Sequence, residues 1–179
     1  MNETYKIQVQ DLVDDLKAVF THAGLGGEAG EYKLLTQSFL YKFLNDKFLY
    51  QAKELDESNT YENLLAMSED DYDWLLEDIG TSTAWLKPDQ LIETLHRQQN
   101  EATFYESFED TLNQIAIDNN DIFSVHTDGD TAIRLFDERL ITDTISDSSK
   151  RNEVAKAIIN LLAHVKFDET IFSQGFDFF

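Results

Sequence analysis

Residues 31–55 read EYKLLTQSFLYKFLNDKFLYQAKEL. Leu35, Phe39 and Phe43 recur one helical turn apart, and Leu40, Leu44 and Phe48 form a second row beside them. Two adjacent apolar rows at this period specify a helix buried over much of its circumference, as at the centre of a bundle. Lys42, Lys47 and Lys53 are assigned to its remaining face. They could form a strip of phosphate contacts, but in so acidic a chain they read as solvated counter-charges.

The flanking sequence is helical too. Upstream, Ile7, Val9, Leu12, Val13, Leu16, Val19 and Phe20 form an amphipathic stripe that stops at Gly24, a residue suited to a left-handed cap. Downstream, after a polar break at Asp56–Thr60, Ser68 with Asp71 three residues on marks a helix start, and Gly80 marks its stop. Trp74 and Leu75 are expected to face inward. Pro88 lies just inside a further helix, where its missing N–H costs nothing. Phe104, Phe108, Leu112, Ile115 and Ala116 outline another helix running to Asn119. From Asp121 to Asp130 the chain reads as a loop, with a short extended piece near Ile122–Val125. A helical patch covers Ile133–Ile141. Asp147, Ser148 and Ser149 then precede a strong helix carrying Val154, Ile158, Ile159, Leu161, Leu162 and Val165.

The expected fold is all-α, an irregular multi-helix bundle of seven or eight helices. One proline and 7 glycines in 179 residues agree with it, because long helices need little punctuation. The length fits a single domain, residues 1–179, with 55–88 as the stretch where it could subdivide. The absence of cysteine excludes disulfides and thiolate metal sites. No secretory pattern opens MNETYKIQVQDLVDDL, and no apolar run approaches the roughly 18–20 residues that span a bilayer. A cytoplasmic protein is expected.

Charge narrows the functions. Asp and Glu total 35 against 14 Lys and Arg, giving a formal net charge of -21. A field of that sign repels phosphate backbones, whose binding depends on neutralisation by basic side chains. No basic residue occurs between Lys53 and Lys87, whereas Glu54, Asp56, Glu57, Glu62, Glu69, Asp70, Asp71, Asp73, Glu77 and Asp78 all fall there. The plainer reading is a solvated helical surface; the sharper one is an acidic surface that imitates DNA.

No motif defines an active site. GLGGEA, Gly24 to Ala29, satisfies the glycine pattern of nucleotide-cofactor loops, but that chemistry needs a preceding strand and here a helix precedes it. DGDTAIRLFDER, from Asp128, starts like a calcium loop but has Ile133 in place of the turn glycine and Arg139 in place of the bidentate Glu. His22, His96, His126 and His164 have no spacing that pairs two on one helical face. Catalytic, cofactor-binding and metal-ligating residues are therefore expected to be none in this chain.

The order of segments carries more. LLTQSFLYKFLNDK, then DYDWLLEDIG, AWLKPDQLIETL, FEDTLNQIAIDNNDIF and NEVAKAIINLLAHVKFDE before GFDFF, together resemble the amino-terminal domain of the modification subunit of type I restriction-modification systems. The resemblance covers nearly the whole chain through loose patterns of apolar and polar positions. It implies a downstream catalytic domain that binds S-adenosylmethionine and methylates adenine N6 in double-stranded DNA through an Asn/Asp-Pro-Pro-Tyr/Phe motif. With Pro88 the only proline, no such motif lies in these residues. No catalysis is expected of this chain alone, and S-adenosylmethionine belongs to the complete enzyme.

The implied partners are the chain's own downstream methyltransferase domain, the specificity and restriction subunits, and double-stranded DNA in the assembled complex. The implied role is subunit assembly and clamping of DNA. Phe176, Phe178 and Phe179 then read as the start of a helix at the junction with the methyltransferase domain. Lys150 and Arg151, before a helix, are the candidate phosphate contacts, against a solvated-loop reading that the acidity favours. The rival from another class is a free-standing acidic protein, a DNA mimic that inhibits DNA-binding enzymes.

Overall fold

A computed structural model describes residues 3–120 and 135–173. Among them the regular elements are all helical: α1 (Glu3–His22), α2 (Ala29–Leu55), α3 (Tyr61–Ala66), α4 (Glu69–Ile79), a 3-10 turn (Pro88–Gln90), α5 (Ile92–Arg97), α6 (Phe104–Asp118), α7 (Leu140–Thr144), α8 (Ser148–His164) and α9 (Thr170–Ser173). The all-α expectation holds. The described residues hold nine α-helices rather than seven or eight, because α7 and α9 are single turns that show no period in sequence.

α2 organises the bundle, with α1, α4, α7 and α8 all packed against it. Both predicted rows are buried: Phe39, Phe43, Leu40, Leu44 and Phe48 are all core, with Leu35 half-buried and Leu34 and Tyr41 added. Aromatic contacts radiate from this helix. The Tyr41 ring meets Phe108 of α6 at 6.3 Å, edge to face, and Phe48 meets Tyr72 of α4 at 6.5 Å. Phe39 and Phe43 meet Phe167 and Phe172, which follow α8, at 5.9 and 5.6 Å. Such pairs add about 0.5–1.5 kcal/mol each beyond the apolar area they bury.

α1 lays Tyr5, Leu12, Leu16 and Phe20 on the core, whereas Ile7, placed in its stripe by periodicity, is 60% exposed. It ends as expected at Gly24, whose φ of +85° is strained for any side chain bearing a Cβ. GLGGEA is thus the turn between two helices.

α4 begins where its cap predicts, with Ser68 Oγ accepting the Asp71 N–H at 3.2 Å. Its orientation bears out the expectation for Leu75 and corrects it for Trp74. Trp74 is 66% exposed, while Tyr72, Leu75, Leu76 and Ile79 are buried. Those four lie at i, i+3, i+4 and i+7, the full stripe of one helical face, and Trp74 falls off it. Pro88 heads a three-residue 3-10 turn, and α5 starts only at Ile92. The loop before it is clamped by Asn119, which accepts the Trp85 N–H at 2.6 Å and donates to the Trp85 carbonyl at 2.8 Å.

Residues 55–88, where subdivision was open, contribute Leu64, Tyr72, Leu75, Leu76 and Ile79 to the same buried cluster as α2. Where a helical patch was expected over Ile133–Ile141, the described part, 135–139, forms turns and α7 follows. α8 is capped by Asp147, whose Oδ1 accepts the Ser149 N–H at 3.0 Å. The extended piece near Ile122–Val125 and the junction residues Phe176, Phe178 and Phe179 lie outside the described residues. Among the described residues no helix is long and apolar enough to cross a membrane.

Candidate functional site

The cleft with the most chemistry, about 340 Å³, opens between α2, α5 and the segment after α8. At its floor lies Lys42, which is only 4% exposed. This corrects its assignment to a solvated face; Lys53 is exposed as expected and Lys47 half-buried. The Lys42 ammonium donates to the carbonyl of Val165 at 2.5 Å and pairs with Asp46 at 3.0 Å, 5.6 Å from the centre of the Phe167 ring. Val165 is the C-cap of α8, so the cation sits at the negative end of that helix. Asn45 completes the group: its Nδ2 donates to Asp46 at 3.0 Å, and its Oδ1 accepts the N–H of Ile92 at the start of α5 at 2.9 Å.

A perturbed carboxyl in a cleft marks a candidate active site. Burial pushes the Asp46 carboxyl up, against the opposing pull of Lys42 and the Asn45 hydrogen bond. These polar groups are nonetheless satisfied by one another and by the backbone, and they fasten α2 to α5 and to the end of α8. The arrangement performs structural work.

It also has a pH signature. Because the folded-state pKa of Asp46 lies above its unfolded value, the folded protein holds this proton more tightly. Its contribution to stability is present at acid pH and is lost as pH rises from the ordinary aspartate range, near 3.9, through the raised folded value. Asp46→Asn removes that pH dependence. The stability of wild type relative to Asp46→Asn is therefore expected to fall between acid and neutral pH, measured by urea denaturation across the range; a pH-independent difference would contradict the assignment.

The candidate phosphate contacts are placed differently from each other. Lys150 is exposed in the first turn of α8. Arg151 is half-buried, its Nε donating to the Ile145 carbonyl at 2.8 Å and one Nη to the Thr142 carbonyl at 3.4 Å, with the guanidinium 5.7 Å from the centre of the Tyr105 ring. It closes the carboxyl end of α7. The surrounding depression also holds Glu106, Glu109, Asp110 and Glu138, so a phosphate arriving there meets carboxylates.

Sequence reasoning missed one contact outright and one residue's place in a surface it did read. His96 and His164 meet edge to face at 5.7 Å, both bonded to Asn160: His96 Nε2 to its side-chain oxygen at 3.0 Å, His164 Nδ1 to its carbonyl at 2.6 Å. No local spacing could signal this, since the rings come from α5 and α8. Among the described residues no group of three or more His, Cys, Asp or Glu is placed to hold a metal ion. On the outer face of α4, Glu69, Asp70, Asp71, Asp73, Glu77 and Asp78 are exposed as read from the sequence, and the misplaced residue is Trp74, which stands among them.

No protein-family model, curated protein or solved structure matches the chain.

Proposed function

We propose that this chain is the helical amino-terminal domain of a type I restriction-modification DNA (adenine-N6) methyltransferase subunit, working in the cytoplasm. Its role is subunit assembly and clamping of DNA, with S-adenosylmethionine chemistry supplied by a downstream domain. What supports the reading is the resemblance in sequence, together with the helical character of the segments that carry it. The described parts of the five resembling segments carry α2, then α4, then the Pro88 turn with α5, then α6, then α8. Several helices pack around α2, and the Lys42–Asp46 pair in the cleft is occupied in holding helices together.

Reading the coding DNA after the Phe179 codon tests this directly. An open frame continuing to an Asn/Asp-Pro-Pro-Tyr/Phe motif is expected, and a stop codon there would overturn the proposal. With that frame expressed alongside a specificity subunit, methyl transfer to adenine N6 is expected, and deletion of residues 1–179 is expected to abolish it.

A second reading, the DNA mimic, is favoured by one observation: the carboxylates of α4 are all on the surface in a stretch without a basic residue. A mimic competes with duplex DNA for a DNA-binding enzyme at low salt and loses affinity as the Debye length shrinks to about 8–10 Å.

A further inference from the structure

The exposed face of α4 combines two features. Trp74 leaves 66% of its surface in solvent. One turn before and after it stand Asp70, Asp71, Glu77 and Asp78, all exposed. Positions three and four residues away share a helical face, so these carboxylates ring the indole. The electron-rich face of an indole attracts cations more strongly than any other aromatic ring. Tryptophan and arginine are also the residues most enriched among interface anchors.

Elsewhere the chain builds the same combination and fills it itself. The guanidinium of Arg97 lies 4.9 Å from the centre of the Tyr61 ring, while its nitrogens pair with Glu62 at 2.5 Å and Glu93 at 3.3 Å. An aromatic ring flanked by two carboxylates is thus a working arginine receptor in this fold. Around Trp74 the ring and the carboxylates are present, and among the described residues no lysine or arginine stacks on the indole or pairs with them.

We propose that this face docks an arginine-bearing segment of a protein partner, with a guanidinium stacked on Trp74 and its N–H groups paired to the surrounding carboxylates. Arginine is specified over lysine because its planar, weakly hydrated head stacks on a ring and pairs bidentately at once, which a compact ammonium does not. Nucleic acid is excluded by the sign of the charge. The inference uses only the α4 face and is independent of the methyltransferase reading.

Fluorescein-labelled octa-arginine and octa-lysine, equal in charge, are the probes, titrated against the intact chain at low ionic strength and followed by anisotropy. Octa-arginine is expected to bind about tenfold more tightly, and Trp74→Ala to reduce it to the affinity of octa-lysine, leaving only general charge attraction. Trp74→Phe, which keeps a weaker ring, is expected to retain part of the preference. Neutralising Asp11, Asp14 and Asp15 on α1 to asparagine is expected to leave the preference intact. Trp74→Ala itself is a surface change, expected to leave the thermal midpoint essentially unmoved. Equal affinity for the two peptides would overturn the proposal. So would a preference that survives Trp74→Ala, or one lost in the α1 variant.

Discussion

Replacing Lys42 with methionine is expected to lower the unfolding free energy by about 3–5 kcal/mol, the range for breaking a buried ion pair by removing one partner. Methionine preserves most of the apolar stem, so the loss is electrostatic rather than a cavity. Three interactions disappear together: the bond to the Val165 carbonyl, the pair with Asp46, and the cation near the Phe167 ring. What remains is a carboxyl with 16% of its side chain exposed and no neighbouring charge to favour ionisation. The folded pKa of Asp46, already raised by burial, rises further once the pull of Lys42 is gone. By the same linkage, the variant loses stability as pH increases, so its deficit is larger at pH 8 than at pH 5. The double change Lys42→Met with Asp46→Leu removes the unpaired group and is expected to recover much of the loss. Urea midpoints at the two pH values check this, provided the m value is unchanged. A deficit below about 1 kcal/mol would mean that Lys42 acts as an ordinary surface cation.

That residue also shows where sequence reading stops. α2 was legible because two apolar rows fix both its existence and its burial. Lys42 was misassigned because lysine is almost never buried without a partner, and half of its partnership, Val165, lies at the end of a different helix. The other half was visible in principle: Asp46 is one turn away, in a segment where Tyr41, Phe43, Leu44 and Phe48 leave little surface for any charge. α4 was legible in its ends, because Ser68 and Gly80 are local signals, but not in its rotation. Leu75 was placed correctly, but Trp74 was not: its neighbours one turn away are Asp70, Asp71, Glu77 and Asp78, whereas Tyr72, Leu75, Leu76 and Ile79 form the apolar stripe that Phe48 and the rest of the core receive. The short helices failed for another reason. α7 spans five residues and α9 four, less than two turns, so their helicity comes from tertiary contacts that no local pattern encodes. Arg151 reads as a free cation until α7 is placed, after which its Nε is bonded to the carbonyl that ends that helix.

The dependence of α7 on its surroundings yields the second large effect. The N-cap position of α7 is Arg139, whose side chain caps nothing. The first N–H groups of any helix lack intrahelical partners, and here they are supplied from α6. Glu109, 5% exposed, accepts the N–H of Ile141 at 3.1 Å and of Thr142 at 3.0 Å on one oxygen, and the Thr142 hydroxyl at 2.8 Å on the other. Glu109→Ala is expected to cost roughly 3–4 kcal/mol, because each buried donor left without an acceptor costs about 1–3 kcal/mol and the three share one site. Glu109→Gln keeps an oxygen in place of the carboxylate and is expected to cost about half as much. The loss falls first on α7, whose Leu140 and Ile141 are fully buried and pack towards α2. Amide exchange should therefore accelerate at residues 140–145 before it does in α2 or α8. Equal penalties for alanine and glutamine would show that the negative charge, not the acceptor, is what α7 requires. If neither variant loosens α7, the cap assigned to Glu109 does not hold the helix, and the turns before it must do so instead.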